Sequence, residues 1–127
     1  MYSHVTVGTN DFDRAKKFYD SLMETLGHPV LFQAPNALAY GTPTGEKFFV
    51  LSPFDGNEAR AGNGVHAAFK VDSRATVDAF HKTALVCGGS DEGAPGPRPH
   101  YHPNYYGAYV RDPDGNKLQA VCHRKNG

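Results

Sequence analysis

Gly45-Glu46-Lys47-Phe48-Phe49-Val50-Leu51 and Gly115-Asn116-Lys117-Leu118-Gln119-Ala120-Val121 share one pattern: a turn glycine, a polar residue, a lysine and a run dominated by apolar residues. The two stretches stand 70 residues apart. Upstream of them a second correspondence holds at an offset of 62 residues, placing His4 on His66, Asp11 on Ser73, Phe18 on Phe80 and Gly27 on Gly89. The eight-residue difference belongs in loops of the second copy, within the segment rich in Pro, Gly and His over residues 90–103. Two helices, two glycine stops and two terminal hairpins do not align by chance. The chain is an internal duplication.

Each copy reads as β-α-β-β-β. Residues 2–8 alternate, with Val5 and Val7 on one face and Tyr2, His4 and Thr6 on the other. Asn10 or Asp11 caps a helix whose stripe is Ala15, Phe18, Leu22 and Leu26, and Gly27 closes it. Short apolar runs at 30–33, 37–40 and 47–51, broken by Pro and Gly turns, predict three strands. In the second copy, residues 65–71 form a strand with His66 opposite Val65, Ala67, Phe69 and Val71. Ser73 caps a helix striped by Val77, Phe80, Ala84 and Cys87, ended by Gly88-Gly89. Strands then follow at 105–111 and 117–123, joined by Asp112-Pro113-Asp114-Gly115, a type I turn signal. The expected fold is one α+β domain over residues 1–127. Its two tandem βαβββ modules cover about 1–53 and 65–124, with a linker at 54–64. Together they form a curled mixed or antiparallel sheet around a shared cleft, helices on the outer face.

Composition narrows the function classes. The 127 residues carry 13 Lys plus Arg against 13 Asp plus Glu, a formal charge of +0. That balance argues against a protein that neutralises a nucleic-acid backbone or coats an anionic membrane. No apolar run reaches the roughly 18 residues of a membrane span. The N-terminus lacks the basic and apolar regions of a secretory signal, so a cytoplasmic location is expected. Two cysteines, Cys87 and Cys122, are too few for a disulfide framework and lack zinc-type spacing.

Phase along the strands puts His4, His66 and Gln119 on the face away from the helices, with Phe49 at the position equivalent to Gln119. An inward imidazole is costly unless partnered, and a metal is one such partner. The opening His-Val-Thr-Val, the Phe18-Tyr19 pair on the first helix, the paired modules and the terminal Asp112-Pro-Asp-Gly-Asn-Lys-Leu118 resemble the vicinal oxygen chelate superfamily. That group includes glyoxalase I, extradiol dioxygenases and bleomycin-resistance proteins. The likeness is nearest to bacterial glyoxalase-like single-domain members, including the stretch Arg98-Pro-His-Tyr-His-Pro103. It implies a divalent metal (Zn, Ni, Mn or Fe) between the modules, at positions held here by His4, Phe49, His66 and Gln119. The sequence departs from the family's enzyme patterns, because Phe49 and Gln119 stand where carboxylates serve glyoxalase I, and Gln119 stands where a carboxylate serves the dioxygenases.

Three functions remain open on these residues. In the first, His4, His66 and Gln119 hold a metal that binds a small oxygen-chelating substrate, and His100 or His102 moves the proton in a lyase or isomerase step. In the second, the same site holds Fe(II) as an extradiol-type dioxygenase. In the third, the cleft binds or sequesters a small molecule without metal, through an aromatic slot of Phe49, Tyr105 and Tyr109. Arg98 is a candidate anchor for an anionic substrate group. The resemblance and exposed sheet edges imply a homodimer.

Overall fold

The computed structural model describes all residues, Met1–Gly127. The order is β1 (His4–Gly8), α1 (Phe12–Thr25), β2 (Val30–Ala34), β3 (Ala37–Gly41), β4 (Lys47–Leu51), β5 (His66–Val71), α2 (Arg74–Val86), β6 (Ser90–Pro97), β7 (Tyr106–Arg111) and β8 (Lys117–Cys122). Two four-stranded mixed sheets result, ordered β1-β4-β3-β2 and β5-β8-β7-β6, and each has one helix. In each sheet the strand before the helix pairs parallel to the last strand of its module, and the other pairings are antiparallel. β1 and β5 are therefore edge strands, each with one backbone edge unpaired within its sheet.

Local chemistry sets the helix ends. Asp11 accepts at its Oδ1 from the Arg14 N–H (3.0 Å), and Ser73 accepts from the Thr76 N–H (3.1 Å), so each first turn is capped. Both helices close with a bond spanning five residues, His28 N–H to Met23 and Gly89 N–H to Ala84. The left-handed residues that permit this are Gly27 (φ 78°) and Gly88 (φ 101°). Gly89, which the sequence offset pairs with Gly27, has another task. A Cβ there would lie 2.9 Å from both the Ala84 carbonyl oxygen and Phe18 Cε2, so only glycine lets the α1 aromatic ring settle against the end of α2.

Residues 90–103, expected as loop, are not loop throughout. The first eight form strand β6, which supplies the fourth strand of the second module and runs irregularly along β7, with register shifts around Gly93. Its Gly-Ala-Pro-Gly-Pro content hides any period-two pattern. The connection that follows spans residues 98–105, against residues 35–36 in the first module.

One core unites both modules. Val7, Ala67 and Phe69 pack against it, while Leu118 and Ala120 are wholly buried within it, as strand phase predicts; Val5, expected on the same inward face, is instead 39% exposed beside the inter-module hollow. The α1 stripe is wider than expected, since Tyr19 and Met23 are also buried. Rings step across the module boundary from Tyr19 to Phe48 (5.4 Å), Phe48 to Phe69 (5.1 Å) and Phe69 to Phe80 (6.2 Å). Each fully buried ring contributes about 1.5–3 kcal/mol of transfer free energy, so this ladder holds the two sheets in a fixed relation.

The Asp112–Gly115 turn also fastens the modules together. Gly115 N–H donates to the Asp112 carbonyl (2.9 Å), as the turn signal predicts. Beyond the turn itself, Asp114 accepts from Thr9 Oγ1 (2.6 Å), the Asn10 N–H (3.0 Å) and Arg14 (2.9 Å). Asn116 Nδ2 donates to the Gly8 carbonyl (2.9 Å), and the Tyr19 hydroxyl donates to buried Asp112. In the linker, Asn10 and the Ala59 backbone bond reciprocally (2.7 and 3.0 Å).

Candidate functional site

Parallel pairing decides what stands beside each first-strand histidine. His4 is opposite Lys47 and Thr6 opposite Phe49 across β1 and β4; His66 is opposite Lys117 and Ala68 opposite Gln119 across β5 and β8. Period-two alternation keeps these residues on the faces that the helices leave uncovered. His4 and His66 are exposed, Phe49 is half-buried and Gln119 is 2% exposed. Each imidazole rests edge-on against an aromatic ring, His4 with Phe49 (5.2 Å) and His66 with Tyr109 (5.7 Å).

Gln119 is engaged rather than free. Its amide nitrogen donates to the Tyr105 hydroxyl, and it lies across from Tyr109 in the strand register. The Tyr109 phenol is pushed above its ordinary range by burial, then by its bonds to Tyr105 and Tyr101. Tyr101, Tyr105, His102 and His123 continue the cluster, with centroid distances of 4.8 Å for Tyr101–Tyr105 and 5.3 Å for both His102–Tyr105 and Tyr105–His123.

The two loop histidines differ in situation. The Asn104 N–H donates to His102 Nδ1 (3.1 Å), so the proton of neutral His102 resides on Nε2, and that N–H donates to His123 Nδ1 (2.8 Å). His100 is exposed and stacks at 4.2 Å on Tyr101. Arg98 spends its fork on backbone, donating to the carbonyls of Ala94 (2.8 Å), Gly96 (2.9 Å) and Pro97 (3.4 Å). In this arrangement its side chain folds back on the end of β6 and ties residues 94–97 to the start of the loop.

Phe49 and the tyrosines do not form one slot. Phe49 belongs to the first sheet, where it floors a hollow of about 400 Å³ with Leu31, Phe32, Ala39, Pro43 and Lys47. Tyr105 and Tyr109 belong to the second sheet and its loop. Between the modules, a hollow of about 60 Å³ is lined by Val5, Thr6 and Val7 from one side and by His66, Ala67 and Lys117 from the other. A larger one, about 360 Å³, has Val5, Phe48, Ala67 and Phe69 in its walls together with Glu46, Lys47 and Lys70.

The donor set is a poor match for a resident divalent ion. No three His, Cys, Asp or Glu side chains come together anywhere in the chain to hold a metal. The two strand histidines have a phenyl ring and a hydrogen-bonded amide where anionic ligands would neutralise the ion. Sequence reading placed these four residues on the uncovered faces. It missed Lys47, Lys117 and Tyr101. The first two lie in plain view in the duplicated stretch; their adjacency to the histidines emerges only with the parallel register.

The model of the Glyoxalase/Bleomycin resistance protein/Dioxygenase superfamily matches residues 2–120. The chain belongs to that superfamily. Among solved structures, a glyoxalase/bleomycin resistance protein from Albidiferax ferrireducens T118 is 39% identical, covers 98% of this chain and 99% of its own, and superposes with a TM-score of 0.90. A glyoxalase-related enzyme from Fulvimarina pelagi is 21% identical over 96% of this chain and 87% of its own, with a TM-score of 0.75. A lactoylglutathione lyase from Agrobacterium tumefaciens is 19% identical over 96% and 92%, with a TM-score of 0.66. The last two likenesses carry the superfamily fold alone. No curated protein matches the chain. Superfamily membership settles the βαβββ tandem architecture, while chemistry must be argued from the residues.

Proposed function

We propose that this superfamily member binds a small organic molecule at the uncovered faces of its two sheets, without depending on a carboxylate-ligated metal. The observation that carries this reading is Phe49. At the position equivalent to Gln119 it presents an aromatic wall, and it floors a hollow of about 400 Å³ whose other apolar lining is Leu31, Phe32, Ala39 and Pro43. An apolar hollow with a few polar groups at its rim is the usual form of a small-ligand site. The reading belongs with the sequestering, bleomycin-resistance type of function.

Val30, Leu31 and Phe32 are 41%, 36% and 53% exposed, and β1 and β5 have unpaired edges. Such surfaces favour pairing with a second copy, which supports a homodimer. Sedimentation at micromolar concentration tests it, and a monomer refutes it.

The metal-dependent lyase or isomerase, with His100 or His102 as the proton carrier, and the Fe(II) dioxygenase rest on His4 and His66. Elemental analysis of untagged protein, with His4→Ala alongside, separates these readings from the first. Near-stoichiometric metal that is lost in the variant overturns the metal-free reading; iron then favours oxygen chemistry, while zinc, nickel or manganese favours proton transfer. Absence of metal after incubation with each ion, together with saturable binding of apolar compounds that Phe49→Ala abolishes, supports it.

A further inference from the structure

Charge is segregated on the uncovered strand faces. The chain as a whole is balanced at +0. Yet the outward rows of β1, β4, β5 and β8 hold His4, Lys47, His66, Lys70 and Lys117 and no Asp or Glu. Where His66 and Lys117 face each other in register, they share Tyr109: the imidazole meets its ring edge-on at 5.7 Å, and Lys117 Nζ lies 5.1 Å from its centroid. Lys117 forms no ion pair, unlike Arg14, Lys16, Arg111 and Arg124, each of which has a carboxylate within 3.0 Å. The small inter-module hollow beside this pair has Thr6 and Asn116 as its other polar residues and no acidic group in its wall.

We infer that His66 and Lys117 form a binding site for the oxyanion group, carboxylate or phosphate, of a small molecule. The inference rests on the small-molecule reading above and names the charge of the ligand. A cation held over a ring face, with an imidazole N–H opposite it on the neighbouring strand, offers two donors to an oxyanion, and no carboxylate lines the hollow beside them. The larger hollow is excluded from the proposal because Glu46 stands beside Lys47 and Lys70 in its wall.

The test is an NMR titration of full-length protein with inorganic phosphate and, separately, acetate at constant ionic strength, reading the His66 imidazole resonances. The expected result is a saturable shift that weakens about tenfold or more in Lys117→Met, the loss of about one charge-assisted contact. Lys117→Arg retains the shift, as does Lys125→Gln, a substitution remote from the pair. A saturable response to only one of the two salts assigns the oxyanion. No saturable response to either, or an equal response in Lys117→Met, overturns the inference. A parallel titration with a neutral apolar compound separates the failures: binding there with no anion response refutes only the oxyanion site, whereas no binding of any compound refutes the small-molecule reading too.

Discussion

The bond between Tyr19 and Asp112 offers a direct test of how the two modules are held around the groove. Tyr19 is 1% exposed on α1, and Asp112 is 4% exposed in the turn before β8. The carboxylate accepts from four donors. Oδ1 takes the N–H groups of Asp114 (2.9 Å) and Asn116 (2.8 Å), and Oδ2 takes Asn116 Nδ2 (2.9 Å) and the Tyr19 hydroxyl. Tyr19→Phe deletes one donor and leaves the ring packing against Phe18 and Phe48 in place. A hydrogen bond to a buried charged group is worth about 1.5–3 kcal/mol, so the variant should lose about 2 kcal/mol. For a domain of this size that corresponds to a fall of about 6–8 °C in Tm.

The loss should depend on pH. Burial holds the Asp112 carboxyl above its ordinary range, against the downward pull of its bonds to Tyr19 and Asn116. The folded chain therefore takes up this proton before the unfolded chain does, and the group's contribution to stability fades as pH rises through the folded value. Removing the Tyr19 donor raises that value further. The deficit of Tyr19→Phe should thus be greatest near neutrality and shrink on acidification. Urea unfolding near pH 7 and near pH 4, with m-values compared, reads both effects. A deficit below about 0.5 kcal/mol at neutral pH, or one that grows in acid, would refute the reasoning.

Three further outcomes follow from local geometry. In Gly107→Ala the new Cβ lies 3.1 Å from Gln119 Nε2, 3.2 Å from Tyr105 Cε1 and 3.3 Å from the Ala120 carbonyl oxygen. The variant should lose about 1 kcal/mol or more and displace Gln119 from Tyr105; unchanged Tyr105 and Gln119 resonances would contradict this placement. Nitrogen NMR of the neutral imidazoles should show His102 and His123 both protonated on Nε2, and an Nδ1–H form of His102 would exclude the bond from the Asn104 N–H and reverse the one to His123. Arg98→Ala removes bonds to three carbonyls at the end of β6, so amide exchange over residues 93–98 should accelerate while the β8 amides stay protected; equal protection in both proteins would leave Arg98 without that role.

Most of the fold is legible in the sequence because the duplication lets each half check the other. The caps at Asp11 and Ser73, the strand phases of His4 and His66, and the inward set Leu118 and Ala120 all depend on periods of two or 3.6 residues, and those periods are local. β6 escapes because glycine and proline erase alternation along it. Gly89 escapes because its need for a missing Cβ is imposed largely by residues far along the chain, the Arg111 carbonyl oxygen (2.6 Å) and Phe18 Cε2 (2.9 Å).

The site divides along the same physical line. Facing direction is local, so His4, His66, Phe49 and Gln119 can be placed on the uncovered side from sequence. Partners are tertiary, and they change what those residues can do. A strand after a helix returns parallel to the strand before it, but two later strands of each module, β2 and β4 or β6 and β8, run in that direction. Choosing β4 and β8 puts a lysine opposite each histidine; choosing β2 and β6 would put Val30–Ala34 and Ser90–Pro97 there instead. The observed choice is what makes the uncovered rows basic. Lysines beside imidazoles raise the electrostatic cost of a divalent cation at the same place and lower that of an anion. The uncharged side chains of Phe49 and Gln119 and the pairing of His66 with Lys117 therefore act in one direction, though only the first is visible before the strands are paired.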